Sequence, residues 1–265
     1  MSVFLIGTLD TKGPEILFVR DRLQELSVQT LVIDAGCLGE AAIPAEISRE
    51  DVFEAAGTSL TVVREKEDRG EAVTLAARGV TVLIERLHSM GQVDGVLGLG
   101  GSAGTTIATS AMRVLPLGLP KLMVSTLASG QTRPYVGGKD ILMLNSVVDI
   151  SGINRISRTV LSEAARAMAG MVTLSSDDSI EPASLDRPLI AATMFGVTTP
   201  CVQHAQQILE QAGYEVLVFH ATGNGGEAME GLIDDGLIAG VLDITTTELA
   251  DELVGGTLSA GPDRL

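Results

Sequence analysis

Glycine placement constrains this chain more than any other feature. Many of its 30 glycines stand directly after short aliphatic or β-branched runs, where a parallel strand ends and the chain turns toward a helix. Val3-Phe4-Leu5-Ile6 runs into Gly7-Thr8-Leu9-Asp10-Thr11-Lys12-Gly13. Residues 14–26 then carry Ile16, Leu17, Leu23 and Leu26 near helical spacing, with Pro14 suited to a first turn. Residues 29–33 are the next strand, ending at Asp34. Strand, loop, helix and strand in this order make a βαβ unit, whose crossover is nearly always right-handed.

The same order recurs downstream. Residues 189–195 read as a strand, Gly196-Val197-Thr198-Thr199-Pro200 as its loop, residues 201–212 as a helix, and residues 215–219 as a strand ending at His220. Each half then reaches a matching third strand, at Asp94-Gly95-Val96-Leu97-Gly98 and at Ala239-Gly240-Val241-Leu242-Asp243. Gly7 and Gly95 are 88 positions apart, whereas Gly196 and Gly240 are only 44 apart. The first half therefore carries an insertion of about 44 residues, roughly 36 to 79, between its second and third strands. The charge run Arg64-Glu65-Lys66-Glu67-Asp68-Arg69 falls inside it. It reads as exposed loop and solvated helix, with a lid over a ligand as the alternative.

These patterns predict an α/β chain of two Rossmann-like, doubly wound parallel-sheet domains. The N-terminal domain spans residues 1–176, and a second begins over 186–265, with too few strands to close a doubly wound sheet and so a truncated reading. Ser175-Ser176-Asp177-Asp178-Ser179-Ile180-Glu181-Pro182 has linker composition. Residues 154–174 read as a helix with a small-residue face, suited to close approach within the fold or across a homo-oligomer. The formal charge of −16 opposes binding to nucleic-acid backbones. Cys37 and Cys201, the two cysteines, read as reduced thiols. No apolar run approaches the roughly 18 residues of a membrane span, so a cytoplasmic protein with no membrane partner is expected.

In an open α/β sheet, ligands sit beyond the carboxyl ends of the strands, where glycine loops bring helix N-termini toward them. Gly98-Leu99-Gly100-Gly101-Ser102-Ala103-Gly104-Thr105-Thr106 follows a strand and opens a helix. Its glycines leave backbone N–H groups uncovered, and Ser102, Thr105 and Thr106 add hydroxyls, which suits a bound phosphate; a tight packing turn is the plain alternative. In the first loop, Lys12 could neutralise a phosphate and Asp10 could hold Mg²⁺ or a hydroxyl, or Asp10 and Thr11 could simply cap a helix. Asp34 could grip a ribose or cap a strand end. Ser125 and Thr126 supply further hydroxyls, with Arg133 and Lys139 just beyond as sources of positive charge.

Two signals compete. No G-x-x-x-x-G-K-[ST] is present, which excludes a P-loop NTPase. Gly100-Gly101-Ser102-Ala103-Gly104 matches the G-x-S-x-G nucleophile elbow of serine hydrolases, but only His204 and His220 follow it, both in the second repeat. There, His220, Glu230 and Asp243 lie at strand-end loops and could meet in the interdomain cleft as an acid–base or metal cluster.

At these residues the chain resembles a known family. Gly7-Thr8-Leu9-Asp10-Thr11-Lys12-Gly13, the run from Gly98 to Thr105, Phe219-His220-Ala221-Thr222-Gly223 with Gly226 and Met229-Glu230, and the run from Asp243 to Glu248 carry the likeness. Together they are similar to the uncharacterised protein family whose plant member is the tomato mosaic virus resistance protein, an inhibitor of viral RNA replication. The resemblance covers essentially the whole chain in the same order. It implies two Rossmann-like domains with ATP bound by the first, and Gly7, Thr8, Asp10, Thr11, Lys12 and the loop of Gly98, Gly100, Gly101, Ser102, Gly104 and Thr105 as nucleotide contacts. Family members continue well beyond the point where this chain stops. The expectation is an ATP-binding protein, with Mg²⁺ left open. The alternatives are a nucleotide-gated interaction module without turnover, or a metabolite-processing enzyme using the interdomain cleft.

Overall fold

The computed structural model describes residues 2–174, 187–262 and 264. Two compact units emerge, one of Met1–Val136 and Asp140–Asp178, the other of Gly137–Lys139 and Ser179–Leu265. The linker-like stretch expected at residues 175–182 lies outside the described residues.

The first unit runs β1 (Ser2–Gly7), α1 (Leu9–Glu25), β2 (Gln29–Asp34), α2 (Arg49–Ala55), α3 (Leu60–Lys66), α4 (Arg69–Ser89) and β3 (Gly95–Gly100). It continues with α5 (Ser102–Arg113), β4 (Lys121–Ser125), α6 (Arg133–Val136), β5 (Leu142–Asn145) and α7 (Arg155–Leu174). Its five strands lie in the order β2-β1-β3-β4-β5, all parallel. Successive strand residues alternate between two cores, as the two-residue repeat of a strand demands. Phe4, Ile6 and Val96 face α2, α3, α4 and α5; Val3, Leu5 and Leu97 face α1 and α7. Helices therefore cover both faces of this sheet, which is why its strands are continuously apolar.

The insertion is integral to this unit. Val52, Phe53, Leu60 and Val63 are buried in one of the two cores, and α2 carries a capping box between Ser48 and Asp51. A Cβ on Gly79 would fall 1.9 Å from the Val52 carbonyl oxygen, so glycine there allows α4 to press against α2. The charge run at residues 64–69 is exposed along its whole length, as the sequence predicts, and apolar residues outside it anchor the rest of the segment. The small-residue face of α7 is used inside the fold, with Ala164, Ala165 and Ala169 buried beside α1.

The second unit runs β6 (Leu189–Met194), a short 3₁₀ turn (Gly196–Thr198), α8 (Thr199–Gln211), β7 (Glu215–His220), α9 (Asn224–Asp234), β8 (Ile238–Leu242) and α10 (Thr247–Val254). Its parallel strands lie in the order β7-β6-β8, which repeats the β2-β1-β3 order of the first unit. Among the described residues, no helix is long and apolar enough to cross a membrane.

Candidate functional site

The strand order of the first unit places a switch point between β1 and β3, since the chain leaves β1 toward β2 on one side and later returns to β3 on the other. In sheets of this order, the crevice beyond the carboxyl ends at the switch point is where ligands bind. The residues following β1 and β3 are the two glycine segments singled out above.

Two helix N-termini meet this crevice, and they differ. Helix α1 begins at Leu9, five residues earlier than the sequence periodicity predicts, so Asp10, Thr11 and Lys12 are in its first turns and not in a loop. Its first N–H is already taken, with Leu9 N donating to Asp34 Oδ1 at 3.0 Å, and Asp10 adds negative charge. Helix α5 has no side-chain cap and no acid in its first turn. Its first internal bond runs from Thr105 N to Gly101 O at 2.8 Å, leaving the N–H groups of Ser102, Ala103 and Gly104 outside the helical ladder. The positive end of the α5 dipole is therefore the open one.

The glycines of this loop divide by purpose. A Cβ on Gly98 would meet Ala108 Cβ at 2.4 Å, and one on Gly100 would meet Gly104 Cα at 2.8 Å. Both let α5 sit against β3. Gly101 is different: only Thr126 Oγ1 lies near its added Cβ, at 3.7 Å, and its φ of −81° is open to any residue. Gly7 is a packing glycine, its Cβ position 2.8 Å from Ile16 Cδ1. Thr105 and Ser125 are fully buried and bond each other at 2.7 Å, so they tie α5 to β4 and do not face solvent. Thr126 N donates to Gly100 O at 3.4 Å in the same turn.

The remaining candidates separate sharply. Asp34 is buried, accepting from Gly36 N at 2.9 Å and from Arg49 Nε at 2.7 Å. Arg49 Nη2 lies at ion-pair distance, 2.7 Å, without the alignment of a hydrogen bond. The ribose-gripping role considered for Asp34 is thus replaced by a structural one, because the insertion delivers a buried guanidinium to it. Lys12 Nζ donates to the carbonyl of Ile150, and Lys12 is absent from the crevice lining. Lys139 belongs to the second unit and pairs with Asp235 at 2.9 Å. Thr8 and Asp10 do line the crevice, as does Thr11. Asp10 Oδ2 accepts from Leu38 N at 2.8 Å and Gly39 N at 3.1 Å, whereas its buried Oδ1 has no partner.

The crevice has an inner compartment of about 70 Å³ reaching Ala103 and Ile107 on α5. It adjoins an outer one of about 340 Å³ bounded by Val63, Arg64, Glu67 and Asp68. Cys37, Leu38, Arg69 and Ala72 belong to both. Burial first, and the Asp10 carboxylate second, push the Cys37 thiol above its ordinary value against the pull of Arg49, Arg64 and Arg69. Raised in this way, the Cys37 thiol reacts more slowly than an ordinary cysteine and serves here as part of the wall. Arg64 and Arg69 were legible only as members of a charge run; nothing in the sequence distinguishes the arginines that a tertiary fold turns toward a cleft.

Ser102 lies in the first turn of α5, with none of the positive φ of a strained elbow. His204 and His220 both belong to the other unit. In that unit Glu230 and Asp243 do converge, but on Arg264. Arg264 donates to Glu230 Oε1 at 3.0 Å, Asp243 Oδ1 at 3.1 Å and Glu248 Oε2 at 3.1 Å. Burial would push this guanidinium down, but the Glu248 hydrogen bond and the charges of Asp243, Glu248 and Glu230 together hold it above its ordinary value. Glu248, fully buried, also accepts from Gly223 N at 2.7 Å and Gly226 N at 2.9 Å. His220 stands apart, exposed, with its ring edge-on to Phe195 at 5.2 Å.

Comparison with known proteins gives the chain a family. Residues 1–177 match the N-terminal domain of the uncharacterised protein family UPF0261, and residues 187–265 match its C-terminal domain. A UPF0261 protein of Clostridium tetani is 52% identical over 264 residues, covering 100% of this chain and 64% of that protein. The tomato (Solanum lycopersicum) ToMV resistance protein Tm-1(GCR237) is 41% identical over 288 residues, covering 99% of this chain and 37% of that protein. The chain thus spans less than two thirds of the length of these curated relatives. Among solved structures, a UDP-N-acetylglucosamine 2-epimerase described as putative, from Listeria monocytogenes, matches at 12% identity with a TM-score of 0.36, covering 92% of this chain and 69% of that one. The chain belongs to the UPF0261 family.

Proposed function

We propose that this UPF0261 chain binds a nucleoside phosphate, ATP first among candidates, at the switch point of its N-terminal unit. The observation that carries the reading is the asymmetry between the two helix N-termini. At α1 the first N–H is taken by Asp34 and that of Thr11 by the Thr8 carbonyl, whereas the end of α5 is uncapped beside a glycine, Gly101, that neither packing nor a positive φ requires. An uncapped helix N-terminus approached by small residues is an anion site, and the adjoining cleft has the volume of a small-molecule pocket, about 300 Å³ or more. The choice of ATP comes from the sequence resemblance; the geometry supports a phosphate-bearing ligand.

Mg²⁺ fits this arrangement in one form. Among the described residues, no cluster of three His, Cys, Asp or Glu side chains could cage a metal. The unpartnered Oδ1 of Asp10 could contribute one ligand to an ion otherwise held by phosphate oxygens and water, the usual manner of Mg²⁺ on nucleotides. Such an ion would offset phosphate charge in a chain of −16.

Isothermal titration with ATP and Mg²⁺ tests the reading. Saturable binding is expected, weakened about 10- to 100-fold, roughly 1.4–2.7 kcal/mol, in Gly101→Val, with the melting temperature of the free protein preserved. Equal affinity in the variant and the parent would remove α5 as the phosphate site. Phosphate release measured in the same samples separates turnover from binding alone.

A further inference from the structure

The insertion between β2 and β3 has no assigned purpose in the phosphate reading, yet it builds most of the cleft. The two compartments differ in what they can hold. The inner one, about 70 Å³, is several-fold smaller than the outer and suits a phosphoryl group better than a ring system. The outer one, about 340 Å³, falls within the range of small-molecule sites. A ligand anchored by phosphate at α5 must therefore place its larger body in the outer compartment, over the insertion.

The chemistry of that compartment restricts the body further. Leu38, 65% exposed, and buried Val63 and Ala72 offer apolar surface. Arg69 stands on the wall common to both compartments as the first residue of α4. A guanidinium at a helix start is unfavourable for the helix dipole, but it is a good stacking partner for a flat aromatic ring. Glu67 and Asp68, which immediately precede Arg69 on the outer wall, are acceptors for hydroxyl or amino donors. Glu67 holds its place with a left-handed φ of 51°, which is costly for a residue other than glycine.

We propose that the insertion is a nucleoside clamp: base and ribose occupy the outer compartment, with Arg69 stacked on the base. This rests on the phosphate reading and adds what the ligand carries beyond its phosphates. The clamp gives the site preference for a whole nucleotide over inorganic polyphosphate, and the residues that give it lie outside the glycine loops.

Cys37 provides one readout. It lies on the shared wall and is partly buried, while Cys201 is exposed in the second unit and serves as an internal reference. The experiment alkylates the protein with iodoacetamide and follows each cysteine by peptide mass spectrometry, with ATP·Mg²⁺ or tripolyphosphate·Mg²⁺ at ten times its calorimetric Kd. ATP should slow Cys37 labelling about tenfold by mass action and leave Cys201 unchanged. Tripolyphosphate should protect Cys37 as well, since that residue also borders the inner compartment. Only ATP should slow amide hydrogen exchange over residues 63–68, which border the outer compartment alone. Arg69→Lys keeps the positive charge that also borders the inner compartment but removes the planar guanidinium. It should weaken ATP about 3- to 5-fold, within the energy range of exposed cation–ring contacts, and leave tripolyphosphate affinity unaltered. ATP that binds while exchange over residues 63–68 keeps its free rate, or equal slowing there by both compounds, overturns the clamp and leaves the phosphate site standing. Failure of both compounds to bind overturns the phosphate reading itself, and the clamp with it.

Discussion

The two units start from one frame and finish it differently. In each, three parallel strands lie with the first in the middle, so that two helix N-termini are brought toward the carboxyl edge. In the first unit one of those ends is left open and a cleft lies in front of it. In the second unit the chain supplies its own anion: the Glu248 carboxylate takes the N–H groups of Gly223 and Gly226, and Arg264 closes over Glu248, Glu230 and Asp243. The glycine requirement follows the same division. A Cβ on Gly226 would meet Glu248 Oε2 at 2.2 Å, so that glycine makes room for a side chain of this protein. Gly101 makes room for none. Glycine density at a strand end thus marks close approach in both units, and only the occupant distinguishes structure from binding.

The comparison breaks most readily at Glu248. Glu248→Ala would leave two N–H groups without their acceptor and remove one of three carboxylates from a buried guanidinium. A loss of about 3–5 kcal/mol is expected for breaking a buried pair, confined to the second unit. Hydrogen exchange should quicken across α9 and β8 while amides of β1 and β3 keep their rates. Unchanged protection of α9 would mean that the plug is dispensable and that the two edges are alike.

A smaller effect sharpens the distinction between packing and access. Gly100→Ala drives a Cβ against the Gly104 backbone at 2.8 Å and should cost about 1–3 kcal/mol. Gly101→Ala meets nothing closer than 3.7 Å and should stay within about 0.5 kcal/mol of the parent. Thermal unfolding of the pair gives the answer; equal shifts in Tm would erase the difference drawn between these neighbours.

The smallest effect concerns charge in the first unit. Burial tends to raise the Asp140 carboxyl, but a hydrogen bond from Lys121 and one from Gly118 N hold it below the ordinary 3.8. Lys121 is itself buried and ion-paired to Asp140 at 2.8 Å. A carboxyl lowered in the folded state contributes stability that is present above the unfolded value and lost as pH falls through the folded one. Asp140→Asn should therefore flatten the fall in stability below about pH 4, seen in urea midpoints across that range. The Arg264 guanidinium, raised and not lowered, stays charged throughout this window.

Much of the frame was legible because it is local. The β-branched runs at residues 3–6 and 29–33, the glycines after them, and the 88 against 44 spacing predict both sheets' first three strands and the place of the insertion. The helix start at Leu9 was missed because Pro14 and Gly13 mark a conventional helix opening. Asp34 instead caps the chain five residues earlier, through a bond between residues 25 positions apart. The candidate site was legible in part. Thr8, Asp10 and Thr11 do reach one crevice together with Ala103 of the loop after β3, whereas Lys12, Asp34, Thr105 and Ser125 turn out to hold the fold together.

What the sequence determined by itself is the alternation of strand, glycine and helix, and hence a parallel α/β architecture. Period-two apolar runs and helical spacing are properties of consecutive residues, and a right-handed crossover leaves them few arrangements. Which polar groups would remain free was decided only in three dimensions. Asp34 and Asp10 both follow or flank a strand end, as Arg49 and Arg69 both open helices of the insertion. The fold buries the first of each pair against the other and turns the second toward the cleft. That outcome depends on the balance of desolvation and pairing at each position, a quantity set by neighbours far away in the chain.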